Sequence, residues 1–176
     1  VMDYTDKRFP DGRLFLFYNT GNASEHAIRE GKGQRRVWYK TSSDEGKTWD
    51  DPAEITEAVH SGIGEDFRTH ALTPGHALQF HTGPYKGRLY IPSNHSQGPP
   101  QEGFKEYRAY GFYSDDHGKS WQVSPNVVTP SSNEAIGAVL EDGSLMLVIR
   151  EQSGEQRKKL VAKSNNGGQS WDEIYF

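Results

Sequence analysis

The sequence predicts an all-β fold built from four-stranded propeller blades, and three observations carry the prediction. The first is an internal repeat. Residues 42–49 read Ser-Ser-Asp-Glu-Gly-Lys-Thr-Trp, residues 114–121 read Ser-Asp-Asp-His-Gly-Lys-Ser-Trp, and residues 164–171 read Ser-Asn-Asn-Gly-Gly-Gln-Ser-Trp. The second is what surrounds these boxes. Strand-like stretches precede them at 36–41, 107–113 and 159–163, and further strands follow Asp-Gly or Lys-Gly turns at 12–18, 87–92 and 143–150. The third is spacing: from 42 to 114 is 72 residues and from 114 to 164 is 50, which suits blades of roughly 40–50 residues once loop insertions are allowed.

Each box is expected to form a hairpin turn. Asp44, Asp116 and Asn166 carry short polar side chains that can accept backbone amide hydrogens within the turn, and Gly46, Gly118 and Gly168 can take positive φ. That reading makes Asp44 and Asp116 turn caps rather than a paired-carboxylate site, and folds each box tryptophan back onto its own sheet as a packing residue. Three boxes mean about three blades in a single domain over residues 1–176, open on both sides unless other segments or chains close it. The stretch from 53 to 79 is expected to be an elaborated loop. The stretch from 25 to 36 is expected to be a solvated one, since its glycines lack the phosphate-loop pattern and precede a strand.

Composition narrows the function. Twenty Lys and Arg stand against 24 Asp and Glu, for a net charge of -4, so no chain-wide basic field exists to hold nucleic acid or an anionic membrane. The absence of cysteine excludes disulfides, thiolate metal sites and a cysteine nucleophile. No run reaches the roughly 18 apolar residues of a membrane span. The seven histidines show no H-x-x-x-H or H-E-x-x-H spacing, so neither a metal nor another cofactor is expected. His117, inside a box, is expected to be solvated.

The boxes are similar to the Asp-box, or bacterial neuraminidase repeat. Beyond them, residues 12–22, Thr73-Pro74-Gly75-His76-Ala77-Leu78-Gln79, residues 87–96, Ser132-Asn133-Glu134 and Ser144-Leu145-Met146-Leu147-Val148-Ile149-Arg150 resemble the bacterial exo-α-sialidases of glycoside hydrolase family 33. The resemblance covers essentially the whole chain and implies the six-bladed propeller of those enzymes, of which this chain holds the central part. It implies retaining hydrolysis of terminal α-linked sialic acid, with sialylated glycans as partners and a tyrosine as nucleophile. A neutral tyrosine activated by a glutamate is not repelled by the carboxylate on the sugar's anomeric carbon, and arginines clamp that carboxylate.

Carried over by this resemblance, Glu134 is the glutamate that takes the tyrosine's proton, and Arg150 is the second arginine of the clamp. Asp3 is the aspartate that lines the pocket. Asp66 and Arg68 lie on a loop near the site, and His76 supports the pocket loop. The first arginine, in an Arg-Ile-Pro context, and the acid/base aspartate have no match here, nor do the third arginine and the nucleophilic tyrosine. The remaining blades are expected from the rest of a longer chain or from another chain, and substrate access implies a secreted or periplasmic location. Two readings stay open beside this one: a non-catalytic glycan-binding Asp-box propeller, and a half-propeller that pairs with a second copy. On residue types alone, Glu134 could be an ordinary surface carboxylate, and Arg150 could cap an edge strand against Glu151 or Glu141.

Overall fold

The computed structural model describes every residue except Ile63, Glu65 and Thr73. It contains three antiparallel sheets. Blade 1 consists of β1 (Met2–Asp3), β2 (Arg13–Gly21), β3 (Arg35–Ser42) and β4 (Ala53–Glu54), side by side in chain order. Blade 2 holds β5 (Phe67–Leu72), β6 (Leu78–Gln79), β7 (Leu89–Gln97), β8 (Tyr107–Ser114) and β9 (Gln122–Val123). Here β5 and β6 both pair with β7, Leu72 opposite Ser93 and Leu78 opposite Tyr90, so the inner strand of this blade is divided in two. Blade 3 holds β10 (Ser132–Val139), β11 (Leu145–Glu151), β12 (Lys159–Ser164) and β13 (Glu173–Tyr175).

The three blades share one register. A leucine that follows the Gly-x pair opening the second strand stands opposite the box serine in each: Leu14 faces Ser42, Leu89 faces Ser114 and Leu145 faces Ser164. The boxes form the turn between third and fourth strands. In box 1 the Gly46 amide donates to Ser42 Oγ at 2.9 Å and the Thr48 amide to Asp44 Oδ1 at 2.8 Å. In box 3 the Ser170 amide donates to Asn166 Oδ1 at 2.9 Å, while Asn166 Nδ2 donates to Ser170 Oγ at 2.8 Å. With no carboxylate to accept the serine hydroxyl, the asparagine keeps the turn by reversing one donor.

Two expectations about loops are corrected. The stretch from 53 to 79 contains β4, a short helix α2 spanning Thr56–His60, and both inner strands of blade 2. The stretch from 25 to 36 holds a second short helix, α1, over Glu25–Arg29. Ser24 caps it by accepting the Ala27 amide, and Ile28 is fully buried, so one apolar anchor plus a cap suffices for a single turn and a half. Among the described residues no helix is long and apolar enough to cross a membrane.

The core lies between blades. Phe15 and Val37 of blade 1 meet Leu89, Ile91 and Phe112 of blade 2, and a second cluster joins Phe80, Tyr90, Ala109 and Tyr113 to Leu145, Leu147, Ile149 and Leu160 of blade 3. Truncating a fully buried leucine such as Leu147 costs roughly 2–5 kcal/mol in a site of this kind. Two of the three box tryptophans, Trp121 and Trp171, belong to these seams rather than to their own sheets alone. Trp121 stands edge-on to Phe17 of blade 1 and Phe112 of blade 2, with ring centroids 5.4 and 5.5 Å away. Trp171 reaches back to blade 2, its Nε1 donating to Pro125 O at 2.8 Å.

Candidate functional site

Blade 3 carries the pair of residues with the most open chemistry. Ser131 has a φ of 61°, and the register of β10 against β11 shifts between Ser132 and Ala135, so Glu134 sits in a bulge. The bulge is held from behind: the Ala109 amide of β8 donates to Ser132 Oγ at 3.0 Å, and that hydroxyl donates to Thr129 O at 2.8 Å. Arg150, near the end of β11, donates from Nη1 to Glu134 Oε2 at 2.8 Å. Both side chains are about half exposed, which leaves donors on the guanidinium and a carboxylate oxygen for a ligand.

The alternative partners for Arg150 are otherwise engaged or out of contact. Glu151 folds into its own turn, accepting the Ser153 amide at 2.8 Å, the Gly154 amide at 3.0 Å and the Ser153 hydroxyl. Burial would raise the pKa of Glu151, but these hydrogen bonds outweigh it and hold the carboxylate ionised below its ordinary range. Among the described residues, the only ion pair of Arg150 is with Glu134.

The residues expected around that pair are distributed differently. Asp3 is fully buried. Its Oδ1 accepts the Thr5 amide at 2.9 Å, the Thr5 hydroxyl at 2.9 Å and Gln79 Nε2 at 2.8 Å, and its Oδ2 meets His117 Nδ1 at 2.8 Å. Burial alone would raise its pKa; the Thr5 amide, Gln79, His117 and the Thr5 hydroxyl together lower it. A carboxylate so enclosed has no surface open to solvent, and its visible work is to join β1 to β6 and to the box-2 turn. His117 is accordingly not a solvated turn residue: its φ is 63° and its ring closes over Asp3.

Asp66, with a φ of 56°, receives Arg68 through two bonds of 3.0 Å, and these bonds hold its carboxyl below the usual range. Arg68 is largely buried and also donates to Arg29 O at 2.8 Å, fastening β5 to α1. The Asp66 carboxylate stays half exposed. His76 lines an apolar groove of about 700 Å³ together with Tyr4, Gln79, Ile136, Met146 and Val148. Ile136 and Val148 are two positions from Glu134 and Arg150 on the same strands, so His76 shares the exposed side of blade 3 with the pair; Thr73, at the start of its motif, lies outside the described residues. None of the hydrogen bonds or ion pairs of Asp3, Asp66 and Arg68 among the described residues reaches Glu134 or Arg150.

Two clusters had no sequence signal. Asp3, Asp6 and His117 bring ligand atoms within 4.8 Å of one another, the single such group among the described residues. Asp6 is already taken by Arg8, whose Nη2 lies 2.6 Å away, and Arg13 stands 3.9 Å off, so a cation there would face guanidinium groups. In blade 2, His60 Nε2 and His70 Nδ1 are 2.9 Å apart, and Phe67 is sandwiched between the rings of His60 and His95 at 4.1 and 4.0 Å. Burial pushes His60 down to about 4 and His70 well below the ordinary imidazole range, and lowers His95 as well. The contacts come from α2, β5 and β7, whose histidines are far apart in sequence and follow no short motif.

A family model described as the BNR repeat-like domain matches residues 7–175. Sialidase-2 of Cricetulus griseus is 29% identical over 158 residues, covering 88% of this chain and 41% of that protein. A sialidase of Micromonospora viridifaciens is 30% identical over 135 residues, covering 76% of this chain and 19% of that protein. The Hadza microbial sialidase Hz136 superposes with a TM-score of 0.73 at 21% identity, covering 92% of this chain and 30% of that one, a likeness of fold. The chain thus spans less than half the length of the curated relatives it matches here.

Proposed function

Since the chain belongs to the BNR repeat-like domain family, as part of a sialidase-type Asp-box propeller, we propose that it supplies the glutamate and one arginine of an exo-α-sialidase centre. The observation that carries this reading is the half-exposed Glu134 and Arg150 pair, 2.8 Å apart on blade 3. The substrate is a terminal α-linked sialic acid on a glycoconjugate. Arg150 binds the sugar carboxylate through a charge-assisted hydrogen bond and holds it as the ring flattens toward its cation-like transition state.

Glu134 takes the phenolic proton of a tyrosine supplied outside residues 1–176, and the tyrosine oxygen forms the bond to the anomeric carbon as the leaving oxygen is protonated by an aspartic acid, also outside. Water then displaces the tyrosine, so two inversions give retention. The ion pair favours this role by geometry, because it fixes the Glu134 carboxylate beside the guanidinium on the exposed side of the blade while one oxygen stays open to a phenol. Asp66, half exposed beside Arg68, contacts the ligand at its periphery, and Asp3 supports the pocket from behind without touching substrate. Substrate access favours a secreted or periplasmic location.

The test uses a protein carrying this chain together with its remaining blades. Glu134→Gln and Arg150→Ala are each expected to lower release of sialic acid from an aryl α-sialoside by about 10²–10⁴-fold. Near-normal turnover in either variant overturns the assignment. Binding of sialyllactose with no release of sialic acid by the unmodified protein would identify a glycan-binding module instead.

A further inference from the structure

The two seams between blades are fastened by the same device. Arg13 opens β2, and its Nη2 donates to His117 O in box 2 at 2.5 Å. Arg88, just before β7, donates from Nη1 to Gly167 O in box 3 at 2.8 Å. His117 and Gly167 are both the fourth residue of their boxes, and both have positive φ, 63° and 66°. The residue two after each arginine completes the contact. A Cβ on Gly118 would lie 2.6 Å from the Phe15 ring, and one on Gly168 would lie closer still to the Tyr90 ring. Thus Gly-Arg-Leu-aromatic in one blade grips the fourth and fifth residues of the box in the next, and the box glycine is needed for the ring as well as for the turn.

The same register identifies a receiving half that none of the described residues fills in the way Phe15 and Tyr90 fill the other two. In box 1 the fourth residue is Glu45, with φ of 61°, and the fifth is Gly46. The face around it is apolar and uncovered: Leu16 is 48% exposed, against 1% for Ile91 and 0% for Leu147 at the matching positions of the other blades, and Trp49 is 38% exposed. The gripping half is missing from blade 3, where Gly143-Ser144-Leu145-Met146 stands in place of Gly-Arg-Leu-aromatic.

We propose that box 1, with Leu14, Leu16 and Trp49, is a selective docking surface for a further antiparallel blade whose second strand begins Gly-Arg-Leu-aromatic, and that blade 3 of a second copy of this chain does not fit it. The arginine donates to Glu45 O and the ring covers Gly46, continuing the two seams already formed.

The test is to give blade 3 the missing grip. Sedimentation of the 176-residue chain is expected to report a single copy of 19.8 kDa for the natural sequence. Ser144→Arg combined with Met146→Tyr is expected to shift the mass to multiples of that value, and adding Gly46→Ala to that pair should restore the single copy. Self-association of the natural sequence blocked by Gly46→Ala, or a double variant that folds and stays single, overturns the proposal. A measurement independent of those variants is amide exchange at the existing seams. Arg13→Lys should speed exchange of the Gly118 amide alone and Arg88→Lys that of Gly168 alone, with Gly46 unchanged in both. Unaltered exchange at Gly118 and Gly168 would show that the arginines do not fasten the seams.

Discussion

Asp3 and Glu134 were both expected to line one pocket, and the structure treats them in opposite ways. Asp3 is fully buried and accepts from Thr5, Gln79 and His117, so both of its oxygens are engaged inside the protein. Glu134 is half exposed, and a single guanidinium holds one of its oxygens. The first arrangement is what a carboxylate needs to survive burial; the second is what it needs to remain available as a base. Enclosure, more than residue type or motif position, separates the carboxylate that ties strands together from the one proposed to react.

The largest effect that would sharpen this contrast is kinetic. The loss of turnover expected for Glu134→Gln and Arg150→Ala should come with a nearly unchanged thermal midpoint, because an exposed ion pair contributes about 0–1 kcal/mol. A large drop in midpoint for either variant would mean that the pair holds the blade together and would erase the difference from Asp3.

Asp3→Ala should behave in the reverse way. It leaves Gln79 and His117 without their shared acceptor, and the expected cost is about 3 kcal/mol, read as a shift of the denaturant midpoint at constant slope. A loss under about 0.5 kcal/mol would break the comparison from the other side.

Much of this was legible in the primary sequence. The boxes and the six principal strands follow from local strings, because hairpin turns and alternating strands are written in neighbouring residues; the ion pair between Glu134 and Arg150 does not, since Glu151 and Glu141 were the partners that proximity in sequence offered. The interior positions of Asp3 and His117 were not legible, since one comes from the first strand and the other from a turn more than a hundred residues later. The short helices escaped for a related reason: five residues with one buried isoleucine or valine give no periodicity to read. The interrupted inner strand of blade 2 likewise appears only when β7 is present to pair with both halves.

The histidines of blade 2 extend the contrast to pH. His60, His70 and His95 are buried as neutral rings with lowered pKa values, so the unfolded chain binds more protons than the folded one as pH falls below about 6.5. Stability should therefore be fully present above that pH and decline on acidification. With His60 titrating at about 4, its share alone is about 2 kcal/mol between pH 6.5 and 5. Box aspartates such as Asp44, held down to about 2, stay ionised across this window and do not contribute to the change. Replacing His60 with Gln should flatten the pH dependence of the thermal midpoint; an equally steep profile in that variant would place the sensitivity elsewhere.

The smallest expected effect concerns a third kind of carboxylate, Asp44, which is hydrogen-bonded like Asp3 but stands in an exposed turn. Box 3 already contains the substitution in natural form, because Asn166 occupies the equivalent position. Its Oδ1 still accepts the Gln169 and Ser170 amides, and its Nδ2 satisfies the Ser170 hydroxyl as a donor instead of an acceptor. Asp44→Asn should reproduce that pattern with Thr48 and cost far less stability at neutral pH than Asp3→Ala. It should also remove the stability that the ionised Asp44 carries above pH 3.8 and loses as pH falls through about 2, so natural and variant chains should converge in acid. A loss as large as that of Asp3→Ala would show that charge, and not the hydrogen-bond pattern shared by the three boxes, holds the turn.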